Sequence, residues 1–95
     1  MPHLRFSRLA TRDLLRLEAF LREKSPSAAA KAVSEIRARL QLLEQFADAG
    51  RPVPSLLGYR EMMIDFGNGG YVVRYRRQGD AVVIVGLRHM REAGF

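Results

Sequence analysis

The 95-residue sequence contains no cysteine, which rules out disulfides, thiolate metal sites and thiol nucleophiles and suits a reducing cytoplasm. It has no long apolar run. The longest, Ala81–Leu87, falls far short of the ~20 residues that cross a bilayer. The opening MPHLRFSRL lacks the apolar segment of a secretory signal, so the expected location is cytoplasmic. Histidine occurs only at His3 and His89, and no His/Asp/Glu grouping has ligand spacing, so neither a metal nor another cofactor is expected. GNGG (67–70) lies between strand-like segments and opens no helix, which does not suit a phosphate loop. Ser7 and Ser25 both precede helical segments as caps, which leaves no good serine nucleophile.

What the chain does have is arginine. Fourteen Arg stand against two Lys, and the formal net charge is +6. The guanidinium fork pairs bidentately with carboxylate or phosphate, so an acidic partner is expected, either nucleic acid or polypeptide. Residues 1–50 carry nine basic and six acidic side chains, and residues 51–95 carry seven and four. Each half is therefore +3, with no segregated basic arm. At 47% hydrophobic residues and this length, one domain spanning residues 1–95 is expected to bury a modest core without metal or disulfide.

The hydrophobic period divides the chain. HLRF (3–6) alternates like a short strand. Ala10, Leu14, Leu17 and Leu21, widened by Phe20, recur at helical spacing after a Ser7 cap. Ser25 and Pro26 suit the cap and first position of a second helix, which runs to about Phe46 with Ala29, Val33, Ile36, Leu40 and Leu43 as its stripe. So short a connection makes an antiparallel hairpin, and Ala28–Ala30 permit close approach near its turn. Gly50 is the expected C-terminal cap, and Pro52 and Pro54 prevent continuation. The period then changes to two. YREMMIDF (59–66), YVVRYRR (71–77) and AVVIVGLRH (81–89) read as strands joined by turns at GNGG and QGD. The last is apolar on both parities and should be central. The fold class is α+β, with an N-terminal strand and helical hairpin packed on a curved antiparallel sheet, in the order β-α-α-β-β-β.

Metal-free RNA cleavage would need a base, an acid and cations around the phosphate. The candidates are Arg60, Glu61, Asp65, Arg74, Arg76, Arg88, His89 and Arg91. Histidine titrates near neutrality, which makes His89 the first choice, against a tail histidine exposed at a strand end. Arg74 and Arg76 share a parity with Val72, whereas Arg77 lies with Tyr71, Val73 and Tyr75. They form either an anion-binding face or a solvated strand margin. Tyr71 and Tyr75 suit the core better than base stacking.

FSRLATRDLLRLEAFL, SPSAAAKAVSEI, GRPVP, GYREM, YVVRYR and VVIVGLRHMREAGF, in that order, resemble the RelE/ParE superfamily of small toxins from bacterial toxin–antitoxin modules. The resemblance covers nearly the whole chain and implies the hairpin-on-sheet fold. One branch cleaves mRNA on the ribosome; the ParE branch poisons DNA gyrase. The positions that carry RelE-type chemistry correspond here to Arg60, Met62, Val72, Met90 and Phe95, and only Arg60 keeps the needed character. A second nuclease pattern pairs a C-terminal histidine with a loop glutamate, and RPVPSLL (51–57) offers none. The ending LRHMREAGF resembles the ParE type. The resemblance thus implies a plasmid-stabilization type of toxin that inhibits gyrase by protein binding and meets DNA only indirectly. A cognate ParD-like antitoxin with an acidic C-terminal segment would neutralise it in a hetero-oligomer. No membrane contact is implied. Arg60, Arg74, Arg76, Arg88, His89, Arg91 and Phe95 are the expected contact residues. The alternatives are a ribosome-dependent mRNA interferase using His89, Arg60 and Arg91, or a non-toxic member that only binds its antitoxin.

Overall fold

The computed structural model describes residues 3–67 and 69–92. β1 (His3–Phe6) leads into α1 (Arg8–Lys24), which turns at once into α2 (Pro26–Leu42). β2 (Arg51–Pro52), β3 (Tyr59–Phe66), β4 (Gly69–Gln78) and β5 (Ala81–His89) follow.

Each helix begins at a hydroxyl. Ser7 Oγ accepts the Ala10 N–H at 3.0 Å, and Ser25 Oγ accepts that of Ala28 at 3.3 Å, with Pro26 supplying the preset φ of a first helical turn. Ser25 also closes α1 by donating its own N–H to Leu21 O at 2.8 Å. One residue therefore ends one helix and starts the next, which folds the pair into the hairpin. The second helix stops at Leu42, four residues before the expected end, and turns carry the chain through Gln45.

Gly50 is not the helix cap. Its N–H donates to the Tyr75 hydroxyl at 2.8 Å, and a Cβ there would sit 2.6 Å from that oxygen and 2.7 Å from Glu61 O. Close approach to β4 and β3 explains the glycine.

The sheet order is β1-β5-β4-β3-β2. β3, β4 and β5 form an antiparallel meander, as their short turns require. β1 joins β5 in parallel, with His3 opposite Ala81 and Phe6 opposite Ile84, so the expected first strand does add to the sheet and makes the α+β fold's antiparallel meander a mixed sheet. The long crossover through the hairpin allows that direction. β2, a two-residue edge opposite Arg60 and Glu61, was not expected, because Pro52 suggests a break.

Only one face of the sheet carries the helices. Tyr71, Val73 and Tyr75 of β4, Ile64 of β3 and Val82, Ile84 and Leu87 of β5 meet Ala10, Leu14, Leu17, Ala32, Ile36, Leu40 and Leu43 in one core. Each fully buried aliphatic side chain there stabilises the fold by about 1.5–3 kcal/mol relative to exposure. Both tyrosines are core, as their parity suggests. Phe20 is not: one residue before Leu21, and so about 100° round the helix, it is 55% exposed with Lys24 Nζ over its ring at 4.6 Å. Val33 is only half-buried, and Ala32 takes its place in the stripe.

Candidate functional site: the helix-free sheet face and the tail turn

Strand parity separates the expected contact residues into two groups. Register places Glu61 opposite Arg74 and Arg51, Tyr59 opposite Arg76, Val72 opposite Arg88, and Arg76 and Arg5 opposite Val83. These residues alternate with the core positions and so lie on the face without helices. Arg5, Arg51, Arg74, Arg76 and Arg88 thus share one surface with the carboxylate of Glu61 among them.

Arg74 donates through Nε (3.0 Å) and Nη2 (2.6 Å) to one oxygen of Glu61, and both side chains are about one-fifth exposed. The Arg76 guanidinium lies 5.8 Å from the centre of the Tyr59 ring, a weak cation–π distance. Val72 is buried on this face, and Met63 opposite it is exposed. The surface is cationic with a small apolar centre, suited to an acidic segment that also offers an aliphatic side chain.

His89 belongs to the other face. It stands opposite Tyr71, and the two rings meet edge to face at 5.6 Å. Its Nδ1 accepts the Arg91 N–H at 3.1 Å, so a neutral ring carries its proton on Nε2. The expected tail histidine is therefore half-buried and already engaged. It does not join Arg74, Arg76 and Arg88 around one anion.

Arg60 also leaves the expected group. On the core parity at the start of β3, it donates to Gly50 O at 2.8 Å and Asp48 O at 3.4 Å, with the Asp48 carboxylate at 3.6 Å. It ties the segment after α2 to the sheet. Tyr75 does the same from below, donating its hydroxyl to Ala47 O and accepting from Gly50, each at 2.8 Å. Burial pushes the Tyr75 hydroxyl above its usual pKa against the opposing pull of the Gly50 N–H and Arg60. Arg77 and Asp65 are exposed, and Arg91 is exposed in the turn after β5. Phe95 lies outside the described residues.

Residues not singled out in the sequence build the tail. β1 ends at Phe6 while β5 continues to His89, so part of the β5 edge has no strand beside it. Between Arg74–Gly86 and Tyr75–Ile84 the register shifts by one, leaving Val85 as the extra residue of a bulge that bends the strand. Helix α1 serves this edge. Ser7 Oγ donates to Val85 O at 3.2 Å, and Asp13 Oδ2 accepts the Leu87 N–H at 3.0 Å. Glu92 continues the series: its Oε1 accepts the His89 N–H at 2.7 Å, and its Oε2 takes Arg16 Nη1 of α1 at 2.7 Å. Arg88 Nη1 then meets the carbonyls of His89 (3.3 Å), Met90 (3.4 Å) and Glu92 (3.0 Å). Burial works against the Glu92 carboxylate, but the His89 N–H, Arg16 and the charge of His89 outweigh it and hold Glu92 below the usual carboxylate range. The sequence signals were slight: Asp13 is an acid beside the apolar stripe, and Glu92 the sole carboxylate of a basic tail.

Among the described residues no group of three or more His, Cys, Asp or Glu could hold a metal ion, and no helix is long and apolar enough to cross a membrane.

Known proteins resemble this arrangement over nearly its whole length. The family described as "ParE toxin of type II toxin-antitoxin system, parDE" matches residues 4–94. Two curated toxins of Caulobacter vibrioides are similar in sequence. Toxin RelE3 is 42% identical over 83 residues, covering 87% of this chain and 88% of the relative. Toxin RelE1 is 38% identical over 80 residues, with 84% of each covered. Among solved structures, a chain of the chromosomal ParDE TA system from P. aeruginosa superposes with a TM-score of 0.80 at 26% identity, covering 94% of this chain and 96% of that one. The solution structure of the conserved hypothetical protein HP0894 from Helicobacter pylori shares the fold, with a TM-score of 0.56, 18% identity, and 97% and 98% covered. With the hairpin and the mixed sheet in place, and RHMREAG closing the sequence, the chain belongs to the ParE toxin family of type II toxin–antitoxin systems, within the RelE/ParE superfamily.

Proposed function

We propose that this toxin acts by binding DNA gyrase and arresting it, without cutting nucleic acid itself, and that a cognate antitoxin with an acidic C-terminal segment holds it inactive in a hetero-oligomer. That target also places its action in the cytoplasm. The observation that carries the reading is the separation of charge from acid–base capacity. Arg74, Arg76 and Arg88 lie on the helix-free face, while His89 lies on the other, its Nδ1 taken by the Arg91 N–H. A nuclease needs the titrating group and the cations around one phosphate.

Other groups fit the binding reading too. Glu61, the acid nearest the arginines, is committed to Arg74. Met62 packs against the core and Val72 is buried, and neither an apolar thioether nor a valine can move a proton. The expected contact set narrows to Arg74, Arg76 and Arg88 on the open face, with Arg91 in the tail turn; Arg60 becomes a structural tie.

The test is a supercoiling assay with purified gyrase. Wild-type toxin should inhibit, cognate antitoxin should reverse it, and Arg74→Ala with Arg76→Ala should weaken inhibition by about ten-fold, as for two partly exposed charge contacts. Full inhibition by the double variant would remove this face from the target contact.

A further inference from the structure

We propose that Arg16 and Glu92 are positioning residues for toxicity: their ion pair across 76 positions of sequence holds the tail turn in its active arrangement. The inference rests on the tail and the open face being the toxic surface.

Glu92 touches both sides of the problem. One carboxylate oxygen accepts the His89 N–H, which lies at the end of the β5 edge that no strand covers. The other oxygen takes Arg16, which is also 3.7 Å from Asp13, the acceptor for Leu87 N–H. The Glu92 N–H returns to His89 O at 2.9 Å, closing the turn. The same turn brings the His89, Met90 and Glu92 carbonyls to one nitrogen of Arg88. An arginine spanning three carbonyls has its long side chain fixed before any partner arrives, which lowers the ordering cost of binding. Arg16 is therefore linked through Glu92 to the aim of Arg88, although it lies on a helix and Arg88 on the helix-free face of β5.

Both partners of the ion pair are more than one-third exposed, so its net contribution to global stability is small. Its consequence is local order in residues 89–92. This distinguishes positioning from a generic fold contact: substitution should reduce toxicity while leaving the cooperative unfolding of the core almost unchanged.

The experiment uses the full chain as Arg16→Met, Arg16→Lys, Glu92→Ala and the double variant Arg16→Met/Glu92→Ala. Half-inhibitory concentrations for gyrase supercoiling and doses for growth arrest are measured beside amide exchange of residues 89–92. The expected result is a loss of about five-fold or more in both single variants, and less than about two-fold in Arg16→Lys. The double variant should be no worse than the worse single, as for two residues acting through one contact. Faster exchange should be confined to residues 89–92, with β3, β4 and the rest of β5 protected as in wild type. Wild-type potency in Arg16→Met and Glu92→Ala, or losses that multiply in the double variant, would overturn the proposal. A wild-type chain that arrests growth but leaves gyrase active removes the gyrase reading alone, and the same variants scored by growth arrest still decide the proposal. A wild-type chain inert in both assays removes both.

Discussion

Replacing Tyr75 with Phe removes one oxygen from the centre of the molecule. That hydroxyl donates to Ala47 O and accepts from Gly50 N–H, both at 2.8 Å, and the residue is 1% exposed. Phe fills nearly the same volume, so the loss is chiefly two hydrogen bonds and the desolvation of the groups left behind. A buried donor or acceptor without a partner costs about 1–3 kcal/mol. Gly50 is buried and cannot readily recruit water, whereas Ala47 is half-buried and can rehydrate. The expected loss is therefore about 2–3 kcal/mol, or a Tm lowered by about 10 °C or more for a domain of this size. Urea unfolding followed by circular dichroism measures it, and an unchanged m-value would show that the native state stays compact. Toxicity per folded molecule should remain, since Tyr75 faces the helices. A loss under about 0.5 kcal/mol would mean that the 47–50 segment repairs itself and that Tyr75 does not organise it.

Other outcomes follow from the same contacts. Gly50→Ala must displace both the Tyr75 ring and the Glu61 carbonyl, and should destabilise by about 2–4 kcal/mol in the same urea experiment. Asp13→Ala leaves the Leu87 N–H without its acceptor and should cost about 1–3 kcal/mol, with amide exchange at Leu87 accelerated before that of Val73. For pH, Glu92 is held below the usual range by His89 N–H and Arg16 against burial, so its contribution is present above the unfolded-state value of about 4.3 and disappears as pH falls through the lower folded value. Protection of the His89 amide should therefore persist through the ordinary carboxylate range and be lost only below it, with Asp13, Arg16, Arg88 and His89 as the neighbouring charges. Loss of protection while pH is still well above that range would contradict the assignment.

The local signals in the sequence were sufficient for most of the scaffold. Ser7 and the Ser25–Pro26 pair mark helix starts through their own chemistry, and period-two parity assigns Ile64, Val73 and Tyr75 to one side without tertiary information. Parallel pairing of β1 was not legible, because direction depends on where the hairpin returns the chain and not on any property of HLRF. Gly50 looked like a helix cap because glycine serves both for positive φ and for close approach, and the sequence does not distinguish them. The candidate site divided for a similar reason. Parity within β4 correctly put Arg74 and Arg76 together, but the side of His89 depends on the bulge at Val85, and a one-residue shift exchanges the faces. Arg60 carries charge into a mostly apolar parity, so its carbonyl contacts were hidden behind an apparent binding role. Arg16 and Glu92, far apart in sequence, gave no local sign of meeting.

The most direct measurement runs purified gyrase and a ribosome-bound mRNA side by side with the wild-type toxin and His89→Ala. The expected result is loss of supercoiling with the wild-type toxin and intact mRNA with both proteins. Cleavage of the mRNA that disappears in His89→Ala would contradict it.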